Sequence, residues 1–222
     1  MKQKIMIAGS ILSADFAHLA DDTNNALNAG VNVIHFDVMD HHYVPNLSFG
    51  AVVCDALRKA EITAPIDVHL MVTDPESYIE PFAIAGANRL TFHPETVKDV
   101  KKTCQKISDA GMSAGIAFNP DQPVKINKDI FSMIDMILLM SVFPGFGGQS
   151  FISDSIEKIK STRALINQHN PAIYLGIDGG IKVDNIRNVA DAGANFIVMG
   201  SGIFDALDYN KRLADIYHKL AD

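Results

Sequence analysis

Residues 33–40 read VIHFDVMD. Val33, Ile34, Phe36, Val38 and Met39 form an apolar run of the kind found in strands buried on both faces, yet His35 and Asp37 interrupt it two residues apart. Side chains alternate along a strand, so these two polar groups point to the same side and a core strand must hold an imidazole beside a carboxylate. Such a strand belongs in a parallel sheet covered by helices, and chemistry collects on its inward face near the carboxyl end.

Working outward, seven more runs have the same apolar character: KIMIAGSIL (4–12), APIDVHLMV (64–72), NRLTFHP (88–94), MSAGIAFNP (112–120), IDMILLMSV (134–142), AIYLGIDGG (172–180) and NFIVMGSGI (195–203). Between most of them lie stretches with apolar residues at three-to-four spacing, such as 15–30, 74–86, 97–111, 154–169 and 182–193. Ala-Gly stands ahead of a strand at Gly30, Gly86, Gly111 and Gly193, at intervals of 56, 25 and 82 residues, near multiples of 27. Each glycine is expected to end a helix in the left-handed conformation and turn the chain into the next strand. Eight units of about 28 residues fill the 222-residue chain, which predicts an α/β fold, a (β/α)8 TIM barrel, as a single domain over 1–222. An open doubly wound sheet is the alternative, but it calls for a Gly-rich G-x-G-x-x-G turn after the first strand, and IAGSILSAD has none.

Composition narrows the function. A net charge of −7 without a basic cluster argues against a nucleic-acid partner. No run approaches the roughly 18 apolar residues of a membrane helix, and MKQKIMIAGSIL lacks the features of a secretory signal, so a cytoplasmic protein without a membrane partner is expected. Cys54 and Cys104 each fall in a helical segment and read as packed, reduced thiols.

The strand at 64–72 repeats the first pattern: Asp67 and His69 are two apart and Met71 closes the strand. Asp178 ends the seventh strand. Barrel closure can therefore gather His35, Asp37, His69 and Asp178, a set of two imidazoles and two carboxylates suited to Zn²⁺, Mn²⁺ or Fe²⁺. One cation resolves the cost of burying all four. Asp67 is expected to support the site from behind, and Asp40 to fix the loop after its strand. Glycines cluster in SVFPGFGGQSF (141–151), at Gly179-Gly180 and at Gly200-Ser201-Gly202, in the three loops after strands six, seven and eight. Backbone N–H groups freed by glycine can approach a phosphate, and loops after the last two strands form the usual barrel phosphate site.

With these residues in place the chain resembles the ribulose-phosphate 3-epimerase family, through SILSADF (10–16), HFDVMDHHYVPNLSFG (35–50), DVHLMV (67–72), HPE (93–95), MSVFPGFGGQSF (140–151), DGGI (178–181) and GSGIF (200–204). The resemblance implies a metal-dependent epimerase that interconverts D-ribulose 5-phosphate and D-xylulose 5-phosphate in the pentose phosphate pathway. It implies one divalent metal, zinc first, with iron, manganese or cobalt as the other candidates, held by His35, Asp37, His69 and Asp178. Asp37 and Asp178 would be the acid/base pair. Ser10 and His69 would touch the sugar, and Gly145, Phe146, Gly147, Gly148, Gly179, Gly180, Gly200 and Ser201 would hold the phosphate. It also implies a homo-oligomer acting on a small ketopentose phosphate, and an apolar cap from Met39, Met71 and Met140. Three positions depart from the family's usual residues: Gly9 for Pro, His41 for Gly and Phe143 for Asn.

Inverting a carbon beside a ketone requires removing a proton from one face and returning one to the other. Two fixed carboxylates do this without a base that travels. Two other readings use the same residues: an epimerase of a ketohexose 6-phosphate, and a non-catalytic sugar-phosphate-binding barrel. The second would be marked by a missing carboxylate, and both are present. A Schiff-base aldolase is disfavoured, since no lysine closes an apolar strand.

Overall fold

In the computed structural model, which describes residues 4–221, the eight apolar runs are eight strands. They are β1 (Met6–Ser10), β2 (Val33–Met39), β3 (Ile66–Met71), β4 (Arg89–Phe92), β5 (Ser113–Phe118), β6 (Met136–Met140), β7 (Tyr174–Asp178) and β8 (Phe196–Met199). All pair in parallel and in chain order, and β8 pairs with β1, so the barrel closes. The extreme ends of the 1–222 span, residues 1–3 and 222, lie outside the described residues.

The helices that cover the barrel are α1 (Leu19–Ala29), α2 (Ala51–Lys59), α3 (Ile79–Ile84), α4 (Val100–Asp109), α5 (Ser155–His169), α6 (Ile186–Ala192), α7 (Ser201–Phe204) and α8 (Tyr209–Ala221). Gly30, Gly86, Gly111 and Gly193 take φ values of 121°, 85°, 83° and 118°, the turn conformation expected of them. The alternation lapses once. Between β5 and β6 the chain forms only a 3₁₀ turn, Lys128–Ser132, where the eightfold repeat calls for an α-helix. The apolar side chains Ile130 and Phe131 of this turn are buried and cover that part of the sheet instead.

Two apolar layers follow from strand alternation. The larger lies between the strands and the helices, where Phe36, Leu70, Leu90, Ile137 and Ile177 point outward into the helical ring. The smaller fills the barrel interior with Ala8, Val33, Ala117, Met136, Leu138, Met140, Phe196 and Val198. Glycine is required where that interior is tightest. A Cβ on Gly176 would sit 2.7 Å from Leu138 Cδ1 and 2.9 Å from Met136 Sδ. Lower in the barrel, the Arg89 guanidinium bonds Asp135 at 2.9 Å and Asp67 at 3.5 Å, and lies over the rings of Tyr174 and Phe196. Among the described residues no helix is long and apolar enough to cross a membrane. Cys54 and Cys104 are buried free thiols.

Candidate functional site

A cleft of about 560 Å³, counting the open solvent at its mouth, lies at the carboxyl ends of the strands. The register sets its floor. Asp37 pairs with His69 and His35 with Asp67 across β2 and β3, so all four point into the barrel in two adjacent tiers. β7 approaches from the other side of the axis, separated from β2 by β8 and β1, and ends in Asp178. Asp37 and Asp178 both line the cleft.

The four predicted ligands meet. One donor atom from each of His35, Asp37, His69 and Asp178 lies within 4.8 Å of all the others. His35 Nε2 and His69 Nδ1 each stand 3.3 Å from Asp37 Oδ1 and 3.8 Å from Asp178 Oδ2. Bonds of about 2.0–2.2 Å in a tetrahedron would set donors roughly 3.3–3.6 Å apart, so the spacing fits one zinc-sized ion. Among the described residues His35 Nε2 has no hydrogen-bond partner although it is buried, an orphan that a cation would satisfy. The residues therefore fit a divalent metal. Both imidazoles are fully enclosed and neither lines the cleft, so His69 meets the site from below.

The carboxylates differ in proton affinity. Burial works to raise Asp37, but the charge of His35 close beside it and the hydrogen bond with His69 outweigh burial and hold the group well below the usual carboxylate range. Burial and the neighbouring Asp37 charge push Asp178 up to about 7. Burial also lowers His69, while for His35 the attraction of Asp37 and Asp67 overcomes burial and raises it well above 6.5. Asp67 lies one tier down, 2.8 Å from His35 Nδ1, so it supports His35 from behind, itself braced by Arg89. Ser10 Oγ donates to Asp37 Oδ2 at 2.5 Å.

The three glycine loops form the upper wall. Gly145, Phe146, Gly147 and Gly148 from the β6 loop line the cleft together with Gly179, Gly180, Gly200 and Ser201. Gly145, Gly148, Gly179 and Gly180 have φ between 68° and 131°, and a Cβ on Gly180 would strike the Phe151 backbone. Met39, Met71 and Met140 are nearly inaccessible and complete the lining where apolar capping residues were expected. Asp40 accepts hydrogen bonds from the backbone N–H groups of His42, Tyr43 and Thr73, so it fixes the β2 loop and ties it to β3.

Other side chains at the site had no role assigned from sequence. Ser141 donates to the carbonyls of Asp178 and Gly179 and locks the end of β7. Gln149 Nε2 donates to the Phe143 and Phe146 carbonyls and folds the β6 loop back on itself. Both lie within the 140–151 motif, which was the available signal. His93, just past β4, is buried with Nε2 only 3.0 Å from His69 Nε2. Burial, and then the His69 charge, hold it well below 6.5.

The chain matches the sequence model of the ribulose-phosphate 3 epimerase family over residues 6–204. It is 53% identical over 209 residues to a ribulose-phosphate 3-epimerase of Serratia marcescens, spanning 94% of this chain and 100% of that one. It is 51% identical over 221 residues to the ribulose-phosphate 3-epimerase of Escherichia coli (strain K12), spanning 100% and 98%. Solved structures share the barrel at low identity. The 3-keto-L-gulonate-6-phosphate decarboxylase of Vibrio cholerae superposes with a TM-score of 0.72 at 15% identity, covering 99% of this chain and 98% of that one. The 3-hexulose-6-phosphate synthase of Salmonella typhimurium does so at 0.68 and 15%, covering 98% and 99%. Likeness at that identity speaks of the fold alone.

Proposed function

The chain belongs to the ribulose-phosphate 3-epimerase family, and from that premise we propose that it interconverts D-ribulose 5-phosphate and D-xylulose 5-phosphate at C3 by proton transfer between Asp37 and Asp178. The observation that carries this mechanism is the pair itself: two carboxylates line one cleft from opposite sides of the barrel axis and, in the metal-free protein, one is held low and the other raised to about 7. Asp37, ionised near neutrality, takes the C3 proton from one face, leaving an enediolate. Asp178 delivers a proton to the other face, and the roles exchange when the substrate is the other epimer. Ser10 holds Asp37 in its reactive orientation through the 2.5 Å hydrogen bond. The three methionines keep water from the intermediate and strengthen every charge interaction at the floor.

His35, Asp37, His69 and Asp178 would hold one divalent ion. When bound, it supplies positive charge that stabilises the negative charge developing on the substrate oxygens. Two imidazole nitrogens and two carboxylate oxygens favour zinc, with iron, manganese or cobalt as alternatives. Backbone N–H groups of Gly145 to Gly148, Gly179, Gly180, Gly200 and Ser201 receive the phosphate, and at Gly145, Gly148, Gly179 and Gly180 the loops take φ values other residues avoid. In this reading residues 1–222 act as one domain, in a cytoplasmic homo-oligomer with a small-molecule substrate. The two reduced thiols and the net charge of −7 support a reducing compartment and no nucleic-acid partner.

A coupled assay comparing the pentulose 5-phosphate with ketohexose 6-phosphates tests the assignment. The pentulose phosphate should show the higher kcat/KM, and a higher value on a hexulose phosphate would overturn it.

A further inference from the structure

His93 is a fully buried titratable residue that the proton transfer does not use. It follows β4 directly, and its ring lies against two others at a tilt: Tyr43, with centroids 4.9 Å apart, and His69, at 5.1 Å. Its Nε2 stands 3.0 Å from His69 Nε2. At that distance one nitrogen must donate and the other must accept.

The remaining nitrogens decide which. His69 turns Nδ1 toward Asp37 Oδ1 and Asp178 Oδ2, so Nδ1 is the atom it offers to the cation. A nitrogen that gives its lone pair to a metal carries no proton, and the proton of a neutral ring must then sit on Nε2. Among the described residues the acceptor for that Nε2–H is His93 Nε2. In the opposite tautomer His69 Nδ1–H would donate to Asp37 Oδ1, 3.3 Å away, and close the coordination position. His93 in turn carries its own proton on Nδ1, which has no hydrogen-bond partner among the described residues and has Glu95 Oε1 3.7 Å away. Glu95 Oε1 already accepts from Tyr43, Asn119 and Gln122, a network that fixes the Tyr43 ring beside His93. The two metal-facing imidazoles are thus backed differently: a carboxylate, Asp67, stands behind His35, and an imidazole behind His69.

We propose that His93 is a positioning residue which accepts the His69 Nε2–H and thereby selects the tautomer whose Nδ1 binds a divalent cation. This rests on the metal site argued under Proposed function, and it assigns the site's affinity in part to a residue outside the four ligands. Partners behind a ligating histidine commonly set metal affinity by about 10–100-fold.

The test is chelator competition for Zn²⁺ with the full-length wild-type protein, His93→Gln and His93→Leu, alongside thermal melting of each in metal-free form. Glutamine keeps an acceptor oxygen; leucine fills space but accepts nothing. Zn²⁺ affinity should fall about 10–100-fold in His93→Leu and recover most of that loss in His93→Gln. A packing role alone would move the metal-free melting temperature and leave affinity unchanged. Wild-type affinity in His93→Leu, or no recovery in His93→Gln, overturns the proposal while leaving the metal reading intact. Failure of the wild-type protein to bind Zn²⁺ removes both. Because His93→Leu can fail to fold, ¹⁵N–¹H correlation of the histidine rings in zinc-loaded wild-type protein provides an independent readout: the His69 proton should reside on Nε2, and a proton on Nδ1 contradicts the proposal.

Discussion

At Asp178 burial and the Asp37 charge together hold the proton that an aspartate in water would release near pH 4, and the group titrates near 7. In the metal-free protein a raised acid contributes stability that is complete below its unfolded value and is lost as pH rises through 7. At about 1.4 kcal/mol per unit, the loss reaches on the order of 4 kcal/mol by pH 8. His35, raised as well, pulls in the same direction, whereas the depressed Asp37 matters only below about pH 4. The metal-free melting temperature should therefore drop between pH 5 and pH 8, and less so in Asp178→Asn; parallel wild-type and variant curves would contradict the assignment. For catalysis, Asp37→Asn and Asp178→Asn should each lower kcat by about 10²–10⁴ or more with circular dichroism unchanged, because an amide cannot carry the proton. Retained turnover in either would remove that aspartate from the reaction. His41 shows what one residue can hide: it has φ 61° and an exposed side chain, so the backbone there takes the conformation a glycine would supply while the imidazole stays in solvent.

Strand interiors explain how much of the site could be read in advance. In β2, β3 and β7 a polar residue stands out because everything around it must be apolar, and alternation then fixes which face it occupies. His93 escaped this logic: it lies one residue beyond β4, and although the HPE motif (93–95) includes it, its contact with His69 of the neighbouring strand does not show in strand alternation. Arg89 was missed for the same reason, since its partners Asp67 and Asp135 lie 22 and 46 residues away. The β5–β6 segment failed differently. It reaches the next strand through a short 3₁₀ turn, because Ile130 and Phe131 bury enough apolar surface to cover the sheet without a full helix. At this scale the interior packing is testable. Gly176→Ala inserts a methyl against Leu138 and Met136 and should destabilise the protein by about 1–3 kcal/mol, read as a lower urea midpoint at constant slope. An unchanged midpoint would show that the interior of the barrel yields more easily than its distances imply.

At the scale of the molecule, closure does what no single element can. β2 and β7 are far apart in sequence, and only a ring of eight strands in order brings Asp37 and Asp178 to opposite sides of one cleft, with both histidines beneath them and the glycine loops above. The ring also keeps the floor dry, since the imidazoles and the methionines are almost inaccessible to water. In the proposed reaction this geometry inverts C3 by exchanging its proton with two fixed carboxylates. Turnover of D-ribulose 5-phosphate in D₂O, followed by NMR of the product, tests it most directly. The D-xylulose 5-phosphate formed should carry deuterium at C3, and in reverse the same label should appear in the ribulose. Product that retains its original C3 hydrogen through inversion would contradict it.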